Sequence, residues 1–164
     1  MNRQWLLLFA LAAGAAGAAF AHHGRMQEHL LKVEVLGSGV YAQASEGFVR
    51  TAGHARADSR AVLVRPGDRV ARVAGEQFGF CFEVSGFLED GEVDLQKIIT
   101  HPPVPAGNQA VSGYVSTIEL DVAGGRARGC IGHTLEGGDL VAGRWVVALG
   151  AGETTLAERS FTVE

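Results

Sequence analysis

From about residue 31 onward, apolar side chains return at every second position, with no sustained recurrence at every third or fourth. "FGFCFEV" is the clearest case: Phe78, Phe80, Phe82 and Val84 fall on one face, and Gly79, Cys81 and Glu83 on the other. A period of two belongs to a strand with one face buried, so the chain is read as all-β. Strands are expected near Leu31–Ala42, Ala61–Arg65, Gln77–Ser85, Glu92–Thr100, Gly113–Asp121, Ala127–Leu135, Gly143–Leu149 and Thr155–Val163.

Glycine marks the breaks. "EDGE" (Glu89 to Glu92) holds an Asp-Gly pair suited to a tight hairpin, whose central residues take positive φ. "AGGRA" (Ala123 to Ala127) and "GAGE" (Gly150 to Glu153) are read in the same way. About eight short strands predict an antiparallel β-sandwich, with a closed barrel as the alternative. The longest connection is expected over 48–59. "HPPVPAG" (His101 to Gly107) is expected to be an irregular crossing, because three prolines remove donors and stop a central strand.

The first 21 residues read as an export signal. Arg3 gives a positive start, Trp5 to Ala13 an apolar stretch, and Ala19-Phe20-Ala21 a small-x-small cleavage site. The division expected is 1–21 signal peptide, 22–30 flexible leader and 31–164 one sandwich domain, exported to a bacterial periplasm or beyond. After cleavage, 13 Lys/Arg stand against 18 Asp/Glu, a net charge of −5, which disfavours a nucleic-acid partner. Cys81 and Cys130 are the only cysteines, and in an oxidising compartment such a pair is expected to form a disulfide. If both strands are regular, Cys81 lies opposite the Phe78–Phe82 face and Cys130 opposite Ile131 and Leu135. The bridge would then join neighbouring strands on an outer face and would not pin the two sheets together.

"FGFCFEVSG" (Phe78 to Gly86), "VDLQKIITHPPVP" (Val93 to Pro105) and "GRWVVALGAGETTLAERSFTVE" (Gly143 to Glu164), in that order, resemble a family of small secreted bacterial proteins catalogued as a domain of unknown function. The resemblance implies export and an immunoglobulin-like sandwich. It carries no activity and no functional residues.

No nucleophile elbow, zinc-protease helix motif or phosphate-binding glycine loop is present, and no catalytic activity is expected. Three constellations could bind something. Cleavage after Ala21 would make His22 the first residue, followed by His23; its amine and imidazole could chelate copper, with His29, His54, His101 or His133 as a further ligand. Against this, polar residues are ordinary in a mobile leader. "CIGH" (Cys130 to His133) is a poor zinc pair, since residues three apart on a strand face opposite ways; His133 is expected to be half-buried beside Ile131 and Leu135. Finally, Arg50, Arg56, Arg60, Arg65, Arg69 and Arg72 face only Asp58 and Asp68 in their stretch, leaving +4 there and −9 elsewhere in the exported chain. Guanidinium groups suit carboxylate and phosphate, so Arg60, Arg65 and Arg69 are candidate anion-binding residues. The expected role is a non-enzymatic binding or structural module contacting a protein or an anionic envelope component, with copper binding as the alternative.

Overall fold

The computed structural model describes residues 30–42, 48, 54–56 and 60–164, residues 54–56 by their strand placement alone. The expected signal segment, the leader up to residue 29, His22, His23, His29 and Arg50 lie outside the described residues.

Ten strands are described: β1 (Lys32–Tyr41), β2 (His54–Arg56), β3 (Leu63–Pro66), β4 (Arg69–Val70), β5 (Gln77–Ser85), β6 (Gly91–Ala106), β7 (Gln109–Val122), β8 (Arg126–Thr134), β9 (Gly143–Ala151) and β10 (Thr154–Val163). They form a four-stranded sheet ordered β3-β1-β5-β8 and a six-stranded sheet ordered β2-β7-β6-β9-β10-β4. Two separate sheets make this a sandwich and not a barrel. Pairing is antiparallel except at the edges of the larger sheet, where β2 runs parallel to β7 and β4 parallel to β10.

The alternation read in "FGFCFEV" sets the core. Phe78, Phe80, Phe82 and Val84 of β5 are fully buried and meet Leu95 and Ile99 of β6, Ile118 of β7, and Trp145, Val147 and Leu149 of β9. Phe78 packs edge-on to Trp145 at 5.8 Å and against Phe161 at 5.1 Å. Burial of these large side chains supplies most of the drive to close the two sheets.

Of the three turns, one fails as a hairpin, one closes but parts its strands, and one holds. "EDGE" makes no hairpin: β5 pairs with β1 and β8, whereas β6 belongs to the other sheet, so the Asp-Gly pair sits in a crossover between layers. "AGGRA" does close a tight turn, with Ala123 and Arg126 exchanging backbone hydrogen bonds and Gly124 and Gly125 at φ +60° and +71°. Beyond that one bridge the strands part into different sheets. "GAGE" is a true hairpin between β9 and β10.

"HPPVPAG" is not an irregular crossing. β6 runs on to Ala106 and returns as β7, with a register shift between Thr100 and Val104. β9 pairs with β6 only from Gln96 to Thr100. Past Thr100, β6 therefore has one partner strand, and the donors missing from its prolines are not needed on the open side.

Candidate functional site

The outer face of the smaller sheet carries the disulfide. Cys81 and Cys130 stand directly opposite each other on β5 and β8 and are bonded. The bridge is on the face expected for it, joining neighbouring strands away from the aromatic core. With Tyr41, Phe48 and Ala61 it forms a second apolar cluster. Gly132 makes room there, since a β-carbon on it would run into the Phe48 ring. Burial raises the Tyr41 phenol above its ordinary pKa. On the same face the Glu83 carboxylate takes 2.9 Å from Arg126 Nη1 and 2.6 Å from Arg128 Nε. These guanidinium groups, Arg128 first, hold its pKa below the usual glutamate value.

The interior holds a polar cluster at one end of the sandwich. His133 on β8 is fully buried, not half-buried as expected from its phase. Its Nδ1 lies 3.1 Å from the Tyr114 hydroxyl on β7, and its Nε2 lies 3.2 Å from Asp139 Oδ2 in the β8–β9 loop. Its ring stacks on Trp145 at 4.9 Å. His101, from β6, stacks on the same indole at 4.7 Å, and its Nδ1 is 2.7 Å from the Pro102 carbonyl. The indole N–H donates to the Val141 carbonyl at 3.2 Å, which ties the loop to the core. Immunoglobulin domains commonly set a core tryptophan against a disulfide. Here Trp145 is set against two imidazoles, one from each sheet.

Lys97 completes this cluster. It shares the inner face of β6 with Leu95 and Ile99, is fully buried, and places Nζ 5.8 Å from the centre of the Tyr114 ring. Burial pushes its pKa down to about 8. Ser116 stands directly opposite on β7, and its hydroxyl has no hydrogen-bond partner among the described residues.

Tyr114, His133 and Asp139 form a hydroxyl–imidazole–carboxylate series, an order also used to activate nucleophiles. In this chain the series joins β7, β8 and the loop across the sandwich interior. Both nitrogens of His133 already face partners. Lys97, Ser116, Tyr114 and Asp139 were not singled out in the sequence. Among the described residues, no group of three or more His, Cys, Asp or Glu could hold a metal ion, and no helix is long and apolar enough to cross a membrane.

The arginine stretch is spread over both sheets. Arg60 lies in the turn before β3. Arg65 on β3 pairs with Glu76 at 2.6 Å, and Arg69 on β4 pairs with Glu164 at 2.6 Å. Arg56 on β2 stands in register with Glu119 of β7. β3 and β4 are successive edge strands, one in each sheet, so Arg65 and Arg69 lie along one open side of the sandwich. Val62, Leu63 and Val64 are exposed beside them.

No family model matches the sequence, and no curated protein matches it. Among solved structures, the chain is similar to an immunoglobulin-like protein from Pseudomonas aeruginosa, with a TM-score of 0.57 and 19% identity over 82% of this chain and 96% of that one. At that identity the likeness shows the fold: this is an immunoglobulin-like β-sandwich.

Proposed function

We propose that this chain is an exported, non-catalytic immunoglobulin-like module that contacts a protein or an anionic component of the bacterial envelope. The export motif at residues 1–21 supports the compartment, and the resemblance to the family of small secreted bacterial proteins supports the same reading. The observation that carries the binding role is the open side at β3 and β4. There Arg60, Arg65 and Arg69 flank three consecutive exposed apolar residues, Val62 to Val64. Consecutive exposed apolar residues have no stabilising use in a monomer. The ion pairs of Arg65 and Arg69 are solvent-exposed, hence weak and exchangeable for another anion.

The test is retention on immobilised heparin and lipopolysaccharide. Salt-sensitive retention that is lost in the Arg60→Ala/Arg65→Ala/Arg69→Ala variant supports the reading; retention unchanged by the triple substitution removes it. The alternative, copper bound through His22 and His23 at the processed N-terminus, rests on the cleavage register. Intact mass of the exported protein and copper titration of wild type against His22→Ala decide it.

A further inference from the structure

From Ile98 to Ile118 the sequence holds no Asp, Glu, Lys or Arg, although 20% of the chain is charged. The fold makes this run the end of a two-stranded arm. β6 and β7 pair as far as Ala106 and Gln109, with the turn at Gly107 (φ +63°) and Asn108. Among the described residues, β9 covers the other side of β6 only up to Thr100, and β2 covers the other side of β7 only at Thr117–Glu119. Beyond those points the arm has two open edges, and they differ. On β6, Pro102, Pro103 and Pro105 remove donors, and residues 101–103 stand against Ser112 alone. Proline and a bulge are two devices by which an edge refuses a further strand. On β7, Gln109 to Ser116 carries no proline, no charge and no extra residue. Gln109, Ala110, Ser112 and Val115 are exposed, Val115 at 62%. Such an edge is a template for another strand.

We propose that this edge, Gln109 to Ser116, is where a second copy of the chain docks, its own β7 adding antiparallel about a twofold axis at Ser112. The chain carries a net charge of −4, so two copies repel over most of their surface; here they meet with no like charges opposed. A twofold antiparallel pair sets one residue opposite its own copy. Centring on Ser112 sets Ala110 opposite Tyr114 and Gln109 opposite Val115. Asn108 of the second copy then reaches Ser116, one residue short of Thr117, where β2 begins its pairing. The free edge thus has the length of the strand that fills it. Assembly closes at two copies, because each β7 edge is used once and the β6 edge beside it is blocked. The two larger sheets become one. This surface is separate from the open side that carries Arg65 and Arg69, which lies at the other end of the strand order.

The test is sedimentation velocity of the purified chain over a roughly hundred-fold range of concentration. A dimer that dissociates on dilution is expected for wild type. Ser112→Lys and Ser112→Glu, each alone, should sediment as monomers, since the axis opposes like charges, and an equal mixture should regain the dimer. Ser112→Cys should form a disulfide-linked dimer under mild oxidation, whereas Pro103→Cys, exposed on the β6 edge, should not. The Arg60→Ala/Arg65→Ala/Arg69→Ala variant should keep the dimer, so this docking stands or falls apart from the envelope contact. Wild-type Trp145 emission in each variant shows that the sandwich is folded. The proposal is refuted if wild type is a monomer throughout, if either charged variant or the Pro103→Cys protein behaves as the dimer predicts for Ser112→Cys, if the mixture stays monomeric, or if the triple arginine variant loses the dimer. Failure of Ser112→Cys to cross-link refutes it as well.

Discussion

Asp139 and His133 face each other at 3.2 Å across the mouth of the sandwich, one from a loop and one from β8, both almost fully buried. Neither group would be tolerated there alone. Asp139→Ala should therefore cost about 2 to 3 kcal/mol in urea unfolding near neutral pH, since it removes the buried carboxylate that faces the His133 ring and leaves a void. Asp139→Asn should cost less than half of that. Equal losses would mean that the carboxylate contributes shape and no charge.

Lys97 gives a pH dependence at the alkaline end. Its folded pKa of about 8 lies below its ordinary 10.5, so the unfolded chain holds the proton more tightly. The resulting destabilisation is fully present below about pH 8 and is relieved as pH rises towards 10.5. Lys97→Met should raise stability at neutral pH by as much as about 3 kcal/mol and flatten this alkaline rise. Urea midpoints of both proteins at about pH 7 and about pH 10 check it.

For Glu83 the sign is that of a clamped carboxylate. Its stabilising effect is present above the ordinary glutamate value of 4.5 and is lost as pH falls through the lower folded value. Arg128→Ala should bring the titration of the Glu83 carboxyl carbon up towards 4.5, and Arg126→Ala should move it less. An equal movement in both variants would contradict the dominant role of the Arg128 hydrogen bond.

The Cys81–Cys130 bridge spans 49 residues of sequence, and closing a loop of that size restrains the unfolded chain by about 4 kcal/mol on chain-entropy grounds. The Cys81→Ser/Cys130→Ser variant should lose stability of that order yet keep the far-ultraviolet spectrum and Trp145 emission of the wild type. The reason is that the aromatic core lies on the opposite face of β5. A shift in Trp145 emission would show that the two faces are coupled.

The period of two in the sequence settled the fold class and the face that each cysteine occupies. Turn chemistry was less informative, because Gly124 and Gly125 close the same tight return whether the strands stay paired or, as here, separate into two sheets. The prolines misled because strand ends are judged from one strand, whereas the freedom of β6 beyond Thr100 depends on where β9 stops. Lys97 could have been found: it breaks the apolar phase of Val93, Leu95 and Ile99. Asp139 could not, since it enters the interior from a loop with no periodicity.

The direct opposition of Cys81 and Cys130 also bears on how the two strands keep their register. A slip of one residue between β5 and β8 would send the two sulfurs to opposite faces. With two cysteines in the whole chain, no wrong intramolecular pair exists. Once formed, the bridge holds β5 and β8 to a register in which both sulfurs share a face. Every monomer that carries the bridge therefore carries this one pairing of sulfurs, whichever came first, bond or sheet.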